Sequence, residues 1–349
     1  MRRAFLTTVA AVVALVLAAA PALACGGLVA PNGSVNLVRT TTLAAYKDGV
    51  EHYMTSFEFN GAAKGKFGSI VPLPDVPTKV ERGGRWTLQR LVQEVQPPVA
   101  EDVAFLSAVG NRSAKVLLET QVGALDITVL KGGGDEVGTW AKNNGFFLPP
   151  DAPEVLDFYA RRSPIFMAAR FDLKRAQQDQ LQAGDGVAVH LTIPTDRPWV
   201  PLRILGLGRG ADEIVEADVF LLTENQPDML PAAEPAGSDE GMILERSERA
   251  SRLLLTDLNS DRGMDWLPDK GMWLSYLKLN LPSDDLTHDL ALNTQGGMPS
   301  PVDAGFVLPR VDTVPPLPRD AAMVWPWLLA VLVVAGALWA SNRMATARR

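Results

Sequence analysis

The chain is poor in the residues that form covalent or metal cross-links. Its 349 residues include one cysteine and three histidines, which excludes an intrachain disulfide and a cysteine-rich zinc site. Acidic residues outnumber basic ones by 40 to 33. Because nucleic-acid binding relies on clustered Lys and Arg, we expect no nucleic-acid partner. The central body is more acidic still, since several basic residues lie in the two terminal segments: Arg2, Arg3, Arg343, Arg348 and Arg349.

Residues 1–24 predict a secretory signal peptide. Two arginines after the initiator methionine precede an apolar run over residues 4–20, and residues 21–24 read Pro-Ala-Leu-Ala. A charged start, an apolar middle and a small-residue exit are typical of such signals. Cleavage between Ala24 and Cys25 would make the cysteine the first residue of the mature chain. Lipoprotein signals also end before a cysteine, so lipidation of Cys25 stays open.

The other end predicts a single transmembrane helix. Residues 323–340 carry no charge, and a helix of that length covers about 27 Å, close to the hydrocarbon thickness of a bilayer. Tryptophans at its edges and arginines after it are typical of a span whose tail, residues 341–349, stays in the cytoplasm. We therefore expect a single-pass membrane protein with its N-terminal domain outside the cytoplasm. The edge residues are Trp325, Trp327, Trp339 and Arg343.

Two alternatives for this end stay open. Residues 317–321 stand where a sortase-recognised Leu-Pro-x-Thr-Gly motif would, but Asp320 and Ala321 are the wrong residues. Membrane anchoring therefore ranks above wall attachment. The small residues Ala335, Gly336 and Ala337 would allow close approach of another helix, as in a membrane protein assembly.

Proline-rich stretches divide the body. Residues 293–322 predict an extended stalk in front of the membrane. Residues 224–240 predict a loop that joins a main ectodomain part, residues 25–223, to a second part, residues 241–292.

Strand patterns dominate between these stretches. Asp48-Gly49 tolerates positive φ angles and predicts a hairpin between residues 35–46 and 50–60. A second hairpin is predicted between residues 273–281 and 286–292. The other predicted strands are residues 66–71, 115–121, 125–130, 165–173, 187–193, 202–205 and 216–222.

Three helices interrupt the strands, which together predict an α+β fold with a mostly antiparallel sheet. Leu88, Leu91, Val92 and Val95 recur at helical spacing after Thr87. A second helix ends before Gly145, and a third opens at Asp151-Ala152-Pro153-Glu154.

Five segments form an ordered set of motifs: residues 24–27, 67–74, 122–130, 140–147 and 166–173. In order and spacing they resemble a bacterial family of exported, membrane-anchored proteins, domain of unknown function 2330. The second resembles the family's Phe-x-Trp-Ile-x-Pro-x-Pro segment, with Ser69 in place of Trp. The resemblance covers residues 25–222 and implies a cell-envelope ectodomain, without catalytic residues to carry over.

The candidate chemistry is sparse. Asp257, Asn259 and Asp261 offer oxygen atoms at the alternate spacing of a calcium loop, although the acid expected at the twelfth position is Pro268. Residues 206–210 read Gly-Leu-Gly-Arg-Gly, which we interpret as a turn rather than a cofactor loop. The three histidines are scattered, with no His-x-x-x-His pair. We expect no cofactor, and no catalytic motif is found.

The sequence therefore favours a non-catalytic ectodomain, displayed at the cell envelope on a membrane anchor, that binds a protein or an envelope polymer. An envelope hydrolase and a component of a membrane protein assembly remain alternatives.

Overall fold

Two large sheets face each other across the main apolar core. The computed structural model describes residues 27–29, 40–58, 68–84, 86–95, 115–146, 148–178 and 186–309. The chain divides into two units, residues 1–308 and 309–349, and every element below belongs to the first.

The strands are β1 (Gly27–Val29), β2 (Thr40–Lys47), β3 (Val50–Glu58), β4 (Gly68–Leu73), β5 (Lys79–Arg82), β6 (Lys115–Val122), β7 (Leu125–Lys131), β8 (Ile165–Phe171), β9 (Gly186–Pro194), β10 (Trp199–Val200), β11 (Ile214–Thr223), β12 (Asp228–Leu230), β13 (Glu234–Pro235), β14 (Gly241–Arg249), β15 (Trp273–Pro282) and β16 (Leu290–Asn293). The α-helices are α1 (Thr87–Val95), α2 (Gly134–Asn143), α3 (Ala152–Ala160), α4 (Leu173–Gln178) and α5 (Arg252–Asn259).

The described strands form three sheets. The largest has the order β13-β14-β15-β11-β2-β3-β9-β5, the second the order β1-β4-β8-β7-β6, and a small one the order β10-β16-β12. The described pairs are antiparallel except β11 with β2 and β13 with β14. The protein is thus a mixed α+β fold, rich in sheet with few helices.

The hairpin of β2 and β3 shows how the sequence builds the layers. Asp48 and Gly49 both adopt positive φ, 51° and 76°, as the predicted tight turn requires. Alternation then directs Tyr53 into the core between the sheets and Met54 to the opposite face of the large sheet.

Helices cover the outer face of each large sheet. Leu91 of α1 and Leu254 of α5 pack with Met54 on the eight-stranded sheet. Trp140 of α2 and Tyr159 of α3 pack on the five-stranded sheet. The order of layers is therefore helix, sheet, sheet, helix, and both faces of each large sheet are buried.

Two predicted elements take another form. Residues 202–205 were predicted as a strand, but Arg203–Gly206 is a 3₁₀ helix. Its first amides are bound by side chains rather than by a strand, because Arg203 N donates to Asp289 and Ile204 N donates to the Tyr159 hydroxyl. An apolar run alone does not distinguish a buried strand from a buried helical turn.

The predicted hairpin of residues 273–281 with 286–292 is also wrong. β15 is paired along both edges, with β14 on one side and β11 on the other. β16 therefore joins β10 and β12 in the small sheet. The second ectodomain part, residues 241–292, thus continues the sheets of the first.

Part of the predicted stalk lies against the body. Ala304 is fully buried, and the Asp289 amide donates to its carbonyl oxygen at 3.0 Å. The stalk residues from 310 onward and the predicted span lie outside the described residues. Among the described residues, no helix is long and apolar enough to cross a membrane.

The first turn of α1 is capped from a distant segment. Asp261 Oδ2 accepts hydrogen bonds from the Trp86 amide at 3.0 Å, the Thr87 amide at 2.9 Å and the Thr87 hydroxyl at 2.8 Å. Gly84 gives this carboxylate room, because a Cβ at that residue would overlap it. Asp261 thereby joins the segment after α5 to the start of α1, and both helices cover the same sheet face.

A buried acid lies between the two large sheets. Glu51 is fully buried on β3 beside the Tyr46 and Ile193 positions. Burial raises the pKa of its carboxyl group to about 8, an effect that the Trp199 backbone amide only partly offsets. Neither carboxyl oxygen forms a hydrogen bond of normal geometry with a described residue. At neutral pH the group is therefore mostly protonated and uncharged.

We predict that Asp261→Ala lowers the free energy of unfolding by about 1–3 kcal/mol, because it leaves buried first-turn donors without an acceptor. Urea unfolding followed by tryptophan fluorescence measures this. Asp269→Ala is the matched control, since Asp269 forms only an exposed 3.4 Å ion pair with Arg252 and should change stability by less than about 0.5 kcal/mol. Equal effects of both variants would contradict the capping role.

We predict that Glu51→Gln removes a pH-dependent loss of stability. The folded-state pKa of Glu51, about 8, lies above its ordinary value of 4.5. The folded state therefore holds a proton that the unfolded state releases, and stability falls as pH rises from about 4.5 to about 8.

Thermal unfolding between pH 5 and pH 8 checks this. Glu51→Gln should match the parent protein near pH 5 and exceed it by a few kcal/mol at pH 8. The exposed Glu240→Gln should follow the parent protein throughout. A constant gap between Glu51→Gln and the parent would show that Glu51 does not titrate in this range.

Candidate functional site

Three titratable side chains line up across neighbouring strands on the outer face of the eight-stranded sheet. Glu81 of β5 pairs in register with His190 of β9, and His52 of β3 is its diagonal neighbour. His52 Nδ1 and His190 Nε2 are 3.1 Å apart. His190 Nδ1 lies 3.6 Å from Glu81 Oε1. We call Glu81, His190 and His52, with Trp266 stacked on His52, the histidine row.

Solvent exposure along the histidine row increases from His190 to His52. His190 is 2% exposed, whereas His52 is half-buried. The indole of Trp266 stacks on the His52 ring with centroids 3.7 Å apart and planes 6° apart. Gly263, at φ 78°, covers the inner end, where a Cβ would lie 3.3 Å from His190 Nδ1. His52 is therefore the member that a binding partner can reach.

Both imidazoles are neutral near pH 7. Burial lowers the pKa of His52 to about 3, assisted by the neighbouring His190 and Lys47. Burial also lowers the pKa of His190 to about 4, although Glu81 opposes this shift. The Glu81 carboxylate is shared with Lys79, whose Nζ lies 2.7 Å from Oε1. Because the positive charge of Lys79 lowers the pKa of His190, it opposes the upward effect of Glu81.

The charges set a direction for the hydrogen bonds. Glu81 Oε1 lies 3.6 Å from His190 Nδ1, which makes no hydrogen bond to a described residue, so Glu81 acts on it through its negative charge. This charge favours the His190 tautomer that carries its proton on Nδ1. His190 Nε2 then accepts from His52 Nδ1, which leaves His52 Nε2 without a proton. Among the described residues, the His52 ring has a hydrogen-bond partner at Nδ1 and none at that atom. The row can therefore present one hydrogen-bond acceptor, or one base, beside an aromatic ring.

This arrangement was not predicted from the sequence. The histidines are scattered along the chain, yet the structure brings His52 and His190 together and leaves His288 apart, stacked on Phe306 at 3.7 Å. Strand alternation already indicates that His52 and His190 point away from the inter-sheet core. The pairing of β3 with β9 joins strands more than 120 residues apart and has no signal in a single sequence.

The calcium candidates take three separate partners. Asp257 Oδ2 accepts from Arg90 Nε at 2.9 Å, Asn259 Nδ2 donates to the Leu267 carbonyl, and Asp261 caps α1. Within the part of the chain that the structure describes, no group of three His, Cys, Asp or Glu side chains is arranged to hold a metal ion.

Two other buried clusters of charged groups connect elements of the fold. Asp289 accepts from Tyr159 Oη at 2.8 Å and from Arg162 Nη1 at 2.5 Å. Asp126 accepts from Arg170 Nη2 at 2.8 Å and also from Arg175. These carboxylates have their hydrogen-bonding capacity taken up by neighbours, so we interpret both clusters as structural.

The remaining predicted site residues lie outside the described part of the chain. They are Ala24 and Cys25 at the predicted cleavage point and Trp325, Trp327, Trp339 and Arg343 around the predicted span. Ser69, which replaces the aromatic residue expected from the resemblance, is 3% exposed, and its Oγ makes no hydrogen bond to a described residue.

Comparison with curated proteins gave no match. Among solved structures, the chain is similar to the crystal structure of baculovirus P35, with a TM-score of 0.39 and 10% identity, over 73% of this chain and 96% of that chain. A likeness at this level carries no argument about function.

A family comparison gives a firmer result. Residues 19–226 match the family described as an uncharacterized protein conserved in bacteria (DUF2330). The matched range covers more than half of the chain and includes all three titratable members of the histidine row. The chain therefore belongs to the DUF2330 family.

Proposed function

We propose that the protein is an exported, single-pass cell-envelope protein whose body binds a protein or an envelope polymer outside the cytoplasm. Support for export and anchoring comes from the sequence at both ends: the apolar run before Cys25 and the uncharged run over residues 323–340.

The observation that carries the binding role is the stack of His52 on Trp266. Binding sites combine aromatic surface with a few oriented polar groups. The stack supplies a ring surface, and His52 Nε2 supplies a polar atom with no bond to a described residue. His190 Nε2, 3.1 Å from His52 Nδ1, fixes the orientation of that atom from behind. We propose this end of the histidine row as the place where the partner binds.

A second candidate, an envelope hydrolase, is favoured by the same row. A carboxylate, a buried imidazole and a second imidazole in line can orient a general base. In that case His52 Nε2 accepts a proton from water as the water attacks the bound polymer, and Glu81 stabilises the positive charge that develops on the imidazoles. The bond between the attacked atom and the leaving group then breaks, and His52 returns the proton to that leaving group. Trp266 then positions the substrate.

We predict that His52→Phe weakens binding of soluble peptidoglycan fragments at least tenfold, because it keeps a stacked ring but removes the nitrogen. Titration calorimetry on the purified full-length protein measures the affinity. A ligand that binds the native state also raises the unfolding temperature, which gives a second readout.

The matched control is His288→Phe, which changes the same residue type in another stacked pair. It should bind like the parent protein. Equal loss in both variants would contradict the placement of the site. If the parent protein binds no fragment, the polymer form of the proposal fails, and a cross-linker placed at residue 52 in intact cells tests the protein form.

For the hydrolase candidate, we predict cleavage of bound fragments with a rate that is constant near pH 7 and falls only below about pH 4. A general base acts when it is unprotonated, and the pKa values of His52 and His190 are about 3 and about 4. Glu81→Gln should slow cleavage more than it weakens binding. Binding without product formation, followed by mass spectrometry, would eliminate this candidate.

A further inference from the structure

Among the described strands, none pairs with the outer edge of β14 over its second half. β13 pairs with only two β14 residues, Ile243 and Leu244. Residues 246–249 pair with β15 on one side, and on the other side they make no backbone hydrogen bond to a described residue. A row of free N–H and C=O groups at a sheet edge is a template for another strand.

The side chains of this edge have a self-complementary order. Residues 245–249 read Glu-Arg-Ser-Glu-Arg, so the charges are reversed about the central Ser247. If a second copy pairs antiparallel about Ser247, each Arg246 lies opposite Glu248 of the partner subunit. Glu245 stands at the irregularity of β14 and has no β15 partner, so the two symmetric pairs of Arg246 with Glu248 carry the match. Opposite charges at directly facing positions favour strand pairing.

Other registers lose this match. A shift by one residue places Arg246 opposite Arg249, or Glu245 opposite Glu248, and like charges that face each other disfavour pairing. The register centred on Ser247 gives more ion pairs than the neighbouring ones. The sequence of the edge therefore selects both the partner, a second copy, and its alignment.

The geometry of the strand is compatible with this pairing. The irregularity in β14 lies between Leu244 and Arg246, so residues 246–249 are in regular register with β15. Arg246 and Glu248 lie on one face, 3.3 Å apart, with side chains 39% and 57% exposed. Because this ion pair is exposed, the Arg246 and Glu248 side chains can exchange it for ion pairs with a partner strand.

An exposed apolar residue adjoins the same edge. Leu253 lies in the first turn of α5, directly after β14, and is 67% exposed. A two-fold pairing places one copy of this segment beyond each end of the paired strands. Apolar surface buried there would add to the backbone hydrogen bonds and the ion pairs.

We propose that the protein forms a two-fold symmetric dimer through antiparallel pairing of the β14 edges, centred on Ser247, so that the two eight-stranded sheets join into one continuous sheet. The ligand-binding role of the histidine row is independent of this proposal, because β3, β5 and β9 lie toward the opposite end of the sheet.

Sedimentation velocity of the purified full-length protein in detergent, over a range of concentrations, tests the dimer. We expect a concentration-dependent dimer for the parent protein and at least tenfold weaker association for Arg246→Glu and for Glu248→Arg. The double variant with both changes exchanges the charges and should restore the dimer. A folding defect would not be rescued in this way.

Ser247→Cys, in a Cys25→Ser background, tests the register. The two cysteines would face each other across the two-fold axis, within the distance that a disulfide can bridge. Mild oxidation should cross-link this variant but not Ser238→Cys, which lies in the nearby turn after β13. Three results would each overturn the proposal: a monomer at all concentrations, charge-reversal variants that associate like the parent protein, and a dimer that does not cross-link at residue 247. An edge that binds an extended peptide but not a second copy would also overturn it.

Discussion

The rest of the structure depends on the burial of both faces of each large sheet. One face of each sheet meets the other sheet, and the other face is covered by helices. A charged group on a buried part of a strand has no solvent to stabilise it. Each buried charged side chain must therefore pair with a neighbour or stay neutral, whereas the edge strand β14 carries charges that solvent reaches. The pair of Asp126 with Arg170 meets this requirement, and the uncharged Glu51 and His190 meet it in the other way.

Burial acts on the acid and on the histidines in opposite directions. It raises the pKa of Glu51 and lowers the pKa of His52 and His190. Glu51 thus favours the folded state at low pH. The histidines favour it above their ordinary pKa of 6.5, and this contribution is lost as pH falls toward 4. Glu51 and His52 are adjacent on β3, the first in the inter-sheet core and the second on the outer face. Their contributions to stability therefore change in opposite directions with pH. All three groups are therefore mostly uncharged in the folded protein near neutral pH.

Local patterns in the sequence predict most of the strands but not their neighbours. The turn at Asp48-Gly49, the helix before Gly145 and the helix after Asp151 are all confirmed, because each depends on residues close together in the chain. The partner of β16 and the contact between His52 and His190 depend on which strands are adjacent, and a single sequence does not encode that choice locally. α5 was not predicted, for a related reason. Its acidic residues were interpreted as part of a calcium loop, whereas its leucines are buried against a sheet built from distant strands.

The two ends of the large sheet have different tasks in this interpretation. Near β5, the sheet carries a row of neutral titratable groups whose orientation depends on three strands and on the loop that holds Gly263. At the β14 end, the strand leaves backbone groups exposed and surrounds them with alternating charges, which natural sheets also use to prevent unwanted pairing. Charges that only prevent pairing need no particular order. The reversal of sign about Ser247 is therefore the feature that separates a specific interface from a protected edge. Tethering to a membrane would favour such an interface further, because confinement raises the effective concentration of the two edges.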